Sequence, residues 1–245
     1  MSTFALASLL GLVAALADIF GGLLLVRANW EKRYLRYFVA LGAGFMLAAV
    51  FLEMLPESFR ISARWAPVLV FGGYCGIHLL EHTITPHFHF GEETHHDEFL
   101  SRHTSNSVVG GLTVHSLFDG VAIASGFVLS HWLGWIIFFA IFLHKMPEGF
   151  TVASVTLASG RSTQAALISA SIVAAATLGG VLLINFVPGW VRAGLPLSAG
   201  VAIYVAATDL IPEVNREPGI RMALVFFAGV AIFVAFRLVA AEFLR

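Results

Sequence analysis

The chain alternates between long apolar stretches and short polar breaks. Eight stretches, roughly 3–26, 34–55, 66–85, 108–130, 133–158, 163–187, 195–213 and 219–243, are dominated by Leu, Val, Ala, Ile, Phe and Gly. About 20 apolar residues in a helix cross the ~30 Å hydrocarbon core of a bilayer. Hydrocarbon offers no partner to backbone N–H and C=O, so a crossing segment must satisfy them itself. The barrel solution needs a period-2 alternation that these stretches lack. The expected fold class is therefore all-α integral membrane, with eight transmembrane helices in one domain over 1–245. Most breaks are short enough to make successive helices antiparallel neighbours. The exception is 82–107, polar, acidic and rich in histidine: His82, His87, His89, His95, His96 and His103 alternate with Glu92, Glu93, Asp97 and Glu98. It carries too little apolar surface to fold alone and is expected to be a loop that captures metal or senses its concentration.

Composition strengthens this picture. Apolar residues make up 58% of the chain and charged residues 12%, against about 25% charged in soluble domains; mean hydropathy is +0.87. The lipid bilayer is thus a partner, whereas a net charge of −1 gives nucleic acid no electrostatic handle. Cys75 is the single cysteine, which rules out a disulfide framework and suits a small buried filler. The first apolar run has no basic segment before it and no clear small-residue cleavage site, so it is expected to be a retained helix. Basic residues set the orientation. With the N-terminus outside, eight fall on inner segments (Arg27, Lys32, Arg33, Arg36, Arg102, Arg161, Arg216, Arg221) and five on outer ones (Arg60, Arg64, Arg192, Arg237, Arg245). Both termini are expected outside a cell membrane and the histidine-rich loop in the cytoplasm.

Two segments repeat. "AGFMLAAVFLEMLPE" (43–57) aligns without a gap on "AGVAIYVAATDLIPE" (199–213), matching Ala43/Ala199, Gly44/Gly200, Glu53/Asp209, Pro56/Pro212 and Glu57/Glu213. Gly21-Gly22 falls over Gly179-Gly180, which sets Asp18 opposite Ala176. Helices 1–3 and 6–8 read as two copies of opposite orientation flanking helices 4 and 5. That is the inverted-repeat plan of secondary transporters, whose sites lie near the midplane.

Helices 4 and 5 carry the chemistry. Each holds a histidine, a carboxylate four residues on and then a glycine: His115/Asp119/Gly120 and His144/Glu148/Gly149. The i,i+4 spacing puts imidazole and carboxylate on one helix face. Two such faces meeting in a dry place form a four-ligand site for Zn²⁺, Fe²⁺, Mn²⁺ or Co²⁺, the carboxylates offsetting the ion's charge. Pro147 frees the Leu143 carbonyl one turn back, and the glycines admit close helix approach. Asp18, Glu53 and Asp209 also interrupt apolar runs; they fit relays along an ion path or helix-end side chains snorkelling to the headgroups. A rival from another class is an intramembrane metal-dependent hydrolase. It would need an open metal position and a base, for which "HLLEH" (78–82) offers a weak signature.

The segments "HSLFDGVAIASG" and "HKMPEGFTVAS" resemble the helix-4 and helix-5 signatures of the ZIP (Zrt/Irt-like) divalent metal transporters. "AGFMLAAVFLEMLPE" and the histidine-rich loop between helices 3 and 4 add to the likeness. The resemblance implies a 3+2+3 inverted repeat and uptake of zinc, or else iron, manganese or cobalt, toward the cytoplasm by alternating access. It implies no enzymatic activity and no organic cofactor, the metal being the transported substrate. It carries over His115, Asp119, His144 and Glu148 as ligands, with Met46 as a weaker thioether ligand. Some members hold two metals, using amide or acidic residues after each histidine and a glutamate from helix 6. Here those places hold Ser116, Lys145 and, near the aligned place, Ala176. Lys145 beside Ser116 is therefore expected to replace a second cation, leaving one transported ion, or else simply to pair with a structural carboxylate such as Asp18. Self-association into a homodimer is left open.

Overall fold

A computed structural model describes residues 2–27, 32–83, 102–215 and 220–243. They form eight helices and, among the described residues, no strand. Helix α1 is Thr3–Arg27; α2 spans 32–61; α3 is Ala66–Thr83; α4 is Arg102–Leu129; α5 is His131–Ala158; α6 is Thr163–Phe186; α7 spans 191–215 after a 3₁₀ turn at Pro188–Trp190; α8 is Ile220–Phe243. Seven are long and apolar enough to cross a membrane, making this a multi-pass membrane protein; the apolar part of α3, Ala66–Glu81, is shorter. The eight expected spans are thus seven by this measure. Helix α4 also begins earlier than the apolar pattern indicated. Residues 102–107 are helical although polar, because polarity argues against hydrocarbon and not against a helix.

Caps explain the sharp turn between α5 and its neighbours. Ser130 Oγ accepts from Leu133 N at 3.1 Å and Ser162 Oγ from Ala165 N at 3.2 Å, each satisfying an otherwise orphaned first-turn donor. Gly160, at φ 74°, closes the α5–α6 corner in a conformation that side chains disfavour.

Helices α2 and α7 each contain one turn of π-helix, Val50–Met54 and Ala206–Leu210. Leu55 N–H donates to the Val50 carbonyl and Ile211 N–H to the Ala206 carbonyl, five residues back. Each wide turn directly precedes Pro56 or Pro212, which cannot donate to the fourth carbonyl behind it.

Packing sorts the helices into two sets, which also meet along α4–α7 and α2–α5. Helices α1, α4, α5 and α6 pack on one another, whereas α2 pairs with α8 and α3 with α7. Glycines make four of these crossings close. A Cβ at Gly149 would fall into the Asp18 carbonyl and one at Gly21 into the Met146 carbonyl, joining α1 to α5. Gly120 meets Thr177 and Gly180 meets Leu117, joining α4 to α6 in the same reciprocal way. Gly44 and Gly229 do this for α2 and α8, and Gly73 and Gly200 for α3 and α7. The outer faces stay apolar, as in Phe71, Leu224 and Phe227, which suits contact with lipid tails.

Candidate metal centre

The loop between α4 and α5 is Ser130 alone, so the two helices are forced antiparallel and adjacent. Their inward faces bring His115, Ser116 and Asp119 of α4 against His144, Lys145 and Glu148 of α5, all buried. One ligand atom from each of His115, Asp119, His144 and Glu148 lies within 4.8 Å of the other three. His115 Nε2 and His144 Nε2 both stand 3.3 Å from Asp119 Oδ2. Ligand atoms around a tetrahedral zinc with 2.0–2.1 Å bonds sit about 3.4 Å apart, so both histidines already stand at that spacing from Asp119 Oδ2.

The proton positions follow from the partners. His144 Nδ1 is 3.0 Å from the Ala140 carbonyl, which can only accept; Nδ1 therefore carries the proton and donates. In the neutral ring Nε2 then presents a lone pair toward Asp119 Oδ2, itself only an acceptor. Two acceptors aimed at each other in a dry interior need a cation or a proton between them. His115 supplies another such nitrogen, for neither of its ring nitrogens hydrogen-bonds a protein group.

Lys145 fixes the other side of the cluster. Its Nζ donates to Glu148 Oε2 at 2.7 Å and to Ser116 Oγ at 2.6 Å, and it lies 2.9 Å from Asp119 Oδ2. Ser116 in turn donates to Glu148 Oε1 at 2.6 Å. Asp18 of α1, fully buried, places Oδ2 3.7 Å from the same ammonium. Three carboxylates and one ammonium leave a formal charge of −2, which one dication neutralises. Pro147 lies inside α5 between these residues. The Leu143 carbonyl, left without its helical donor, lies against Gly42 of α2.

The remaining expected residues sit elsewhere. Met46 is buried in the apolar core on α2. Glu53 pairs with Arg237 of α8 at 2.6 Å, an ion pair that the sequence pattern did not reveal, although a lone arginine deep in the last apolar stretch was its available signal. Asp209 lies in the π-helical turn Ala206–Leu210, and its side chain falls outside the described set. His82 lies in the last turn of α3 with its side chain likewise outside it, and His87, His89, His95 and His96 lie outside the described residues. His78 of "HLLEH" packs edge-on to Tyr204 of α7, ring centroids 5.6 Å apart.

Two matches to one family model, described as ZIP zinc transporter, cover residues 1–110 and 101–237. The chain belongs to the ZIP family. Zinc transporter ZIP13 of Pongo abelii is 24% identical over 87% of this ZIP chain and 70% of its own length. Zinc transporter zipt-7.1 of Caenorhabditis briggsae is 31% identical over 41% of this chain, and human zinc transporter SLC39A7 is 29% identical over 47%. In these two the match spans only 27% of the relative's length.

Proposed function

We propose that this ZIP chain carries one divalent transition-metal ion at a time, zinc foremost and also iron, manganese or cobalt, across the bilayer toward the cytoplasm. The observation that carries the reading is the convergence of His115 Nε2 and His144 Nε2 on Asp119 Oδ2, each 3.3 Å away, inside a buried four-residue cluster. Glu148 completes the shell. Lys145 stands in for a second cation, since its ammonium already balances one of the three carboxylates. The zinc-transporter names of the relatives support the substrate class. A hydrolase would need a coordination position for water with a free base beside it. Here four protein side chains would fill the shell, leaving no coordination position for water, which favours transport.

The reciprocal glycine crossings support the 3+2+3 inverted repeat: α1 on α5 mirrors α6 on α4, and α2 on α8 mirrors α7 on α3. The matched π-helical turns agree. Gly120 and Gly149 each follow their histidine by five residues, and they meet Thr177 and Asp18. The crossings therefore favour Thr177 as the counterpart of Asp18, one residue on from Ala176.

The packing supports alternating access. Every proposed ligand except Met46 belongs to the group α1, α4, α5 and α6, which fits a carrier body moving against α2, α3, α7 and α8, with α6 travelling with the site. The Ser198 hydroxyl, 2.9 Å from the Phe118 carbonyl, is a polar tie between the groups that such motion would break. Glu53 and Asp209, at the ends of the path, act as relays. The histidine-rich loop takes up released metal on the cytoplasmic side, with both termini outside.

Radiolabelled zinc flux into proteoliposomes tests this. A His144→Ala/Glu148→Ala variant that folds as the parent does is expected to lose flux by at least a hundredfold; unchanged flux removes the assigned site.

A further inference from the structure

Asp18 has no role in the ligand set, yet it is a fully buried carboxylate to whose two oxygens no protein group donates at hydrogen-bond distance. Burying an unpaired carboxylate is expensive, and the surroundings prevent it from withdrawing. Gly149 of α5 is in close contact with the backbone at Asp18, so α1 is held against the centre. Its nearest cationic group is Lys145 Nζ at 3.7 Å.

Lys145 meanwhile occupies the very oxygens a transported cation would need. Its ammonium is 2.9 Å from Asp119 Oδ2 and 2.7 Å from Glu148 Oε2. An ammonium and a dication compete for Asp119 Oδ2, because like charges a few ångströms apart in a dry site repel. One must yield. A charge-assisted N–H···O contact needs about 2.8 Å, so from 3.7 Å the ammonium reaches Asp18 by moving about 1 Å. Rotation about the last bonds of the lysine stem covers that without moving a helix.

We infer that Lys145 is a tethered exchange ion and Asp18 its second berth, an inference that rests on the metal centre proposed above. With metal bound, the cation holds Asp119 and Glu148 while the ammonium pairs with Asp18. When the metal leaves, the ammonium returns to Asp119 and Glu148. The carboxylates are never left without a cation, and the carrier body can return to the outside without carrying another ion. Asp18 is thus a positioning residue: it sets metal affinity by accepting the displaced lysine and does not touch the metal.

The test is calorimetric zinc titration of the full chain in detergent, comparing Asp18→Asn, Lys145→Met and the double variant. Asp18→Asn is expected to weaken the tightest zinc by about tenfold or more when Lys145 is present and by less than about threefold in the Lys145→Met background, a coupling read from the double-mutant cycle. Equal weakening in both backgrounds, as for a direct ligand or a general charge effect, overturns the exchange, as does no weakening at all. A zinc-loaded structure of the parent chain decides independently of any variant's folding. Lys145 Nζ is expected within about 3.0 Å of Asp18; an ammonium still on Asp119 refutes the inference. His144→Ala/Glu148→Ala separates the two levels. If it binds zinc as tightly as the parent, the metal centre itself falls and takes this inference with it. If it loses zinc while Asp18→Asn acts alike in both backgrounds, only the exchange falls.

Discussion

Gly149→Ala tests whether the centre depends on the backbone-to-backbone contact of α1 and α5. A Cβ at Gly149 would stand 2.7 Å from Asp18 Cα and closer still to that residue's carbonyl. Carbon atoms rest 3.5–4.0 Å apart, so α1 must retreat from α5 by about 1 Å. Neither side can relax by turning a side chain, because the clash is with main chain. Overpacking of this kind costs about 1–3 kcal/mol, and a backbone clash belongs at the upper end. At roughly 2–4 °C per kcal/mol for a chain of this size, Tm should fall by about 6–12 °C. Unfolding in detergent, followed by the fluorescence of the five tryptophans, reads it directly. The control is Gly76→Ala on α3, where a Cβ meets nothing within 4 Å; helix propensity alone should raise stability there by up to about 1 kcal/mol. If the two variants have the same Tm within about 2 °C, the close crossing is not what assembles the centre. Gly120→Ala, whose Cβ would stand 2.8 Å from Val181 N of α6, should behave like Gly149→Ala.

Three further outcomes are expected. Zinc at about a hundred times its Kd should stabilise the parent by about 2.7 kcal/mol, seen as a higher Tm that a chelator reverses and that His144→Ala/Glu148→Ala lacks. Lys145→Met should raise the bound zinc from one ion per chain to two, counted by metal analysis after desalting, because the formal charge of the centre becomes −3; a count that stays at one refutes the stand-in role. Arg237→Ala should cost between the ~1 kcal/mol of an exposed ion pair and the ~3 kcal/mol of a buried one, since it strands Glu53. Adding Glu53→Gln should restore most of the lost Tm, and no restoration would mean that the pair is not what matters there.

The apolar pattern determined much of this protein by itself. Spans longer than a bilayer is thick must be helices, and an i,i+4 histidine and carboxylate must share a face. Two such helices joined by almost no loop are antiparallel neighbours, so those faces can meet. His115, Asp119, His144 and Glu148 were legible for that reason, each step being local geometry. Tertiary structure decided what depends on how far apart helices cross. Lys145 could be assigned a carboxylate from sequence but not three at once, because Asp18, Asp119 and Glu148 come from three helices, and how near α1 lies to α5 depends on the crossing at Gly21 and Gly149. Alignment placed Asp18 opposite Ala176; the crossings favour Thr177, since apolar residues are interchangeable in a register that only contact fixes. The grouping of α6 with the site, the Glu53–Arg237 pair and the wide turns before Pro56 and Pro212 were hidden likewise, for a chain's hydropathy records which residues avoid water and not which neighbour they meet.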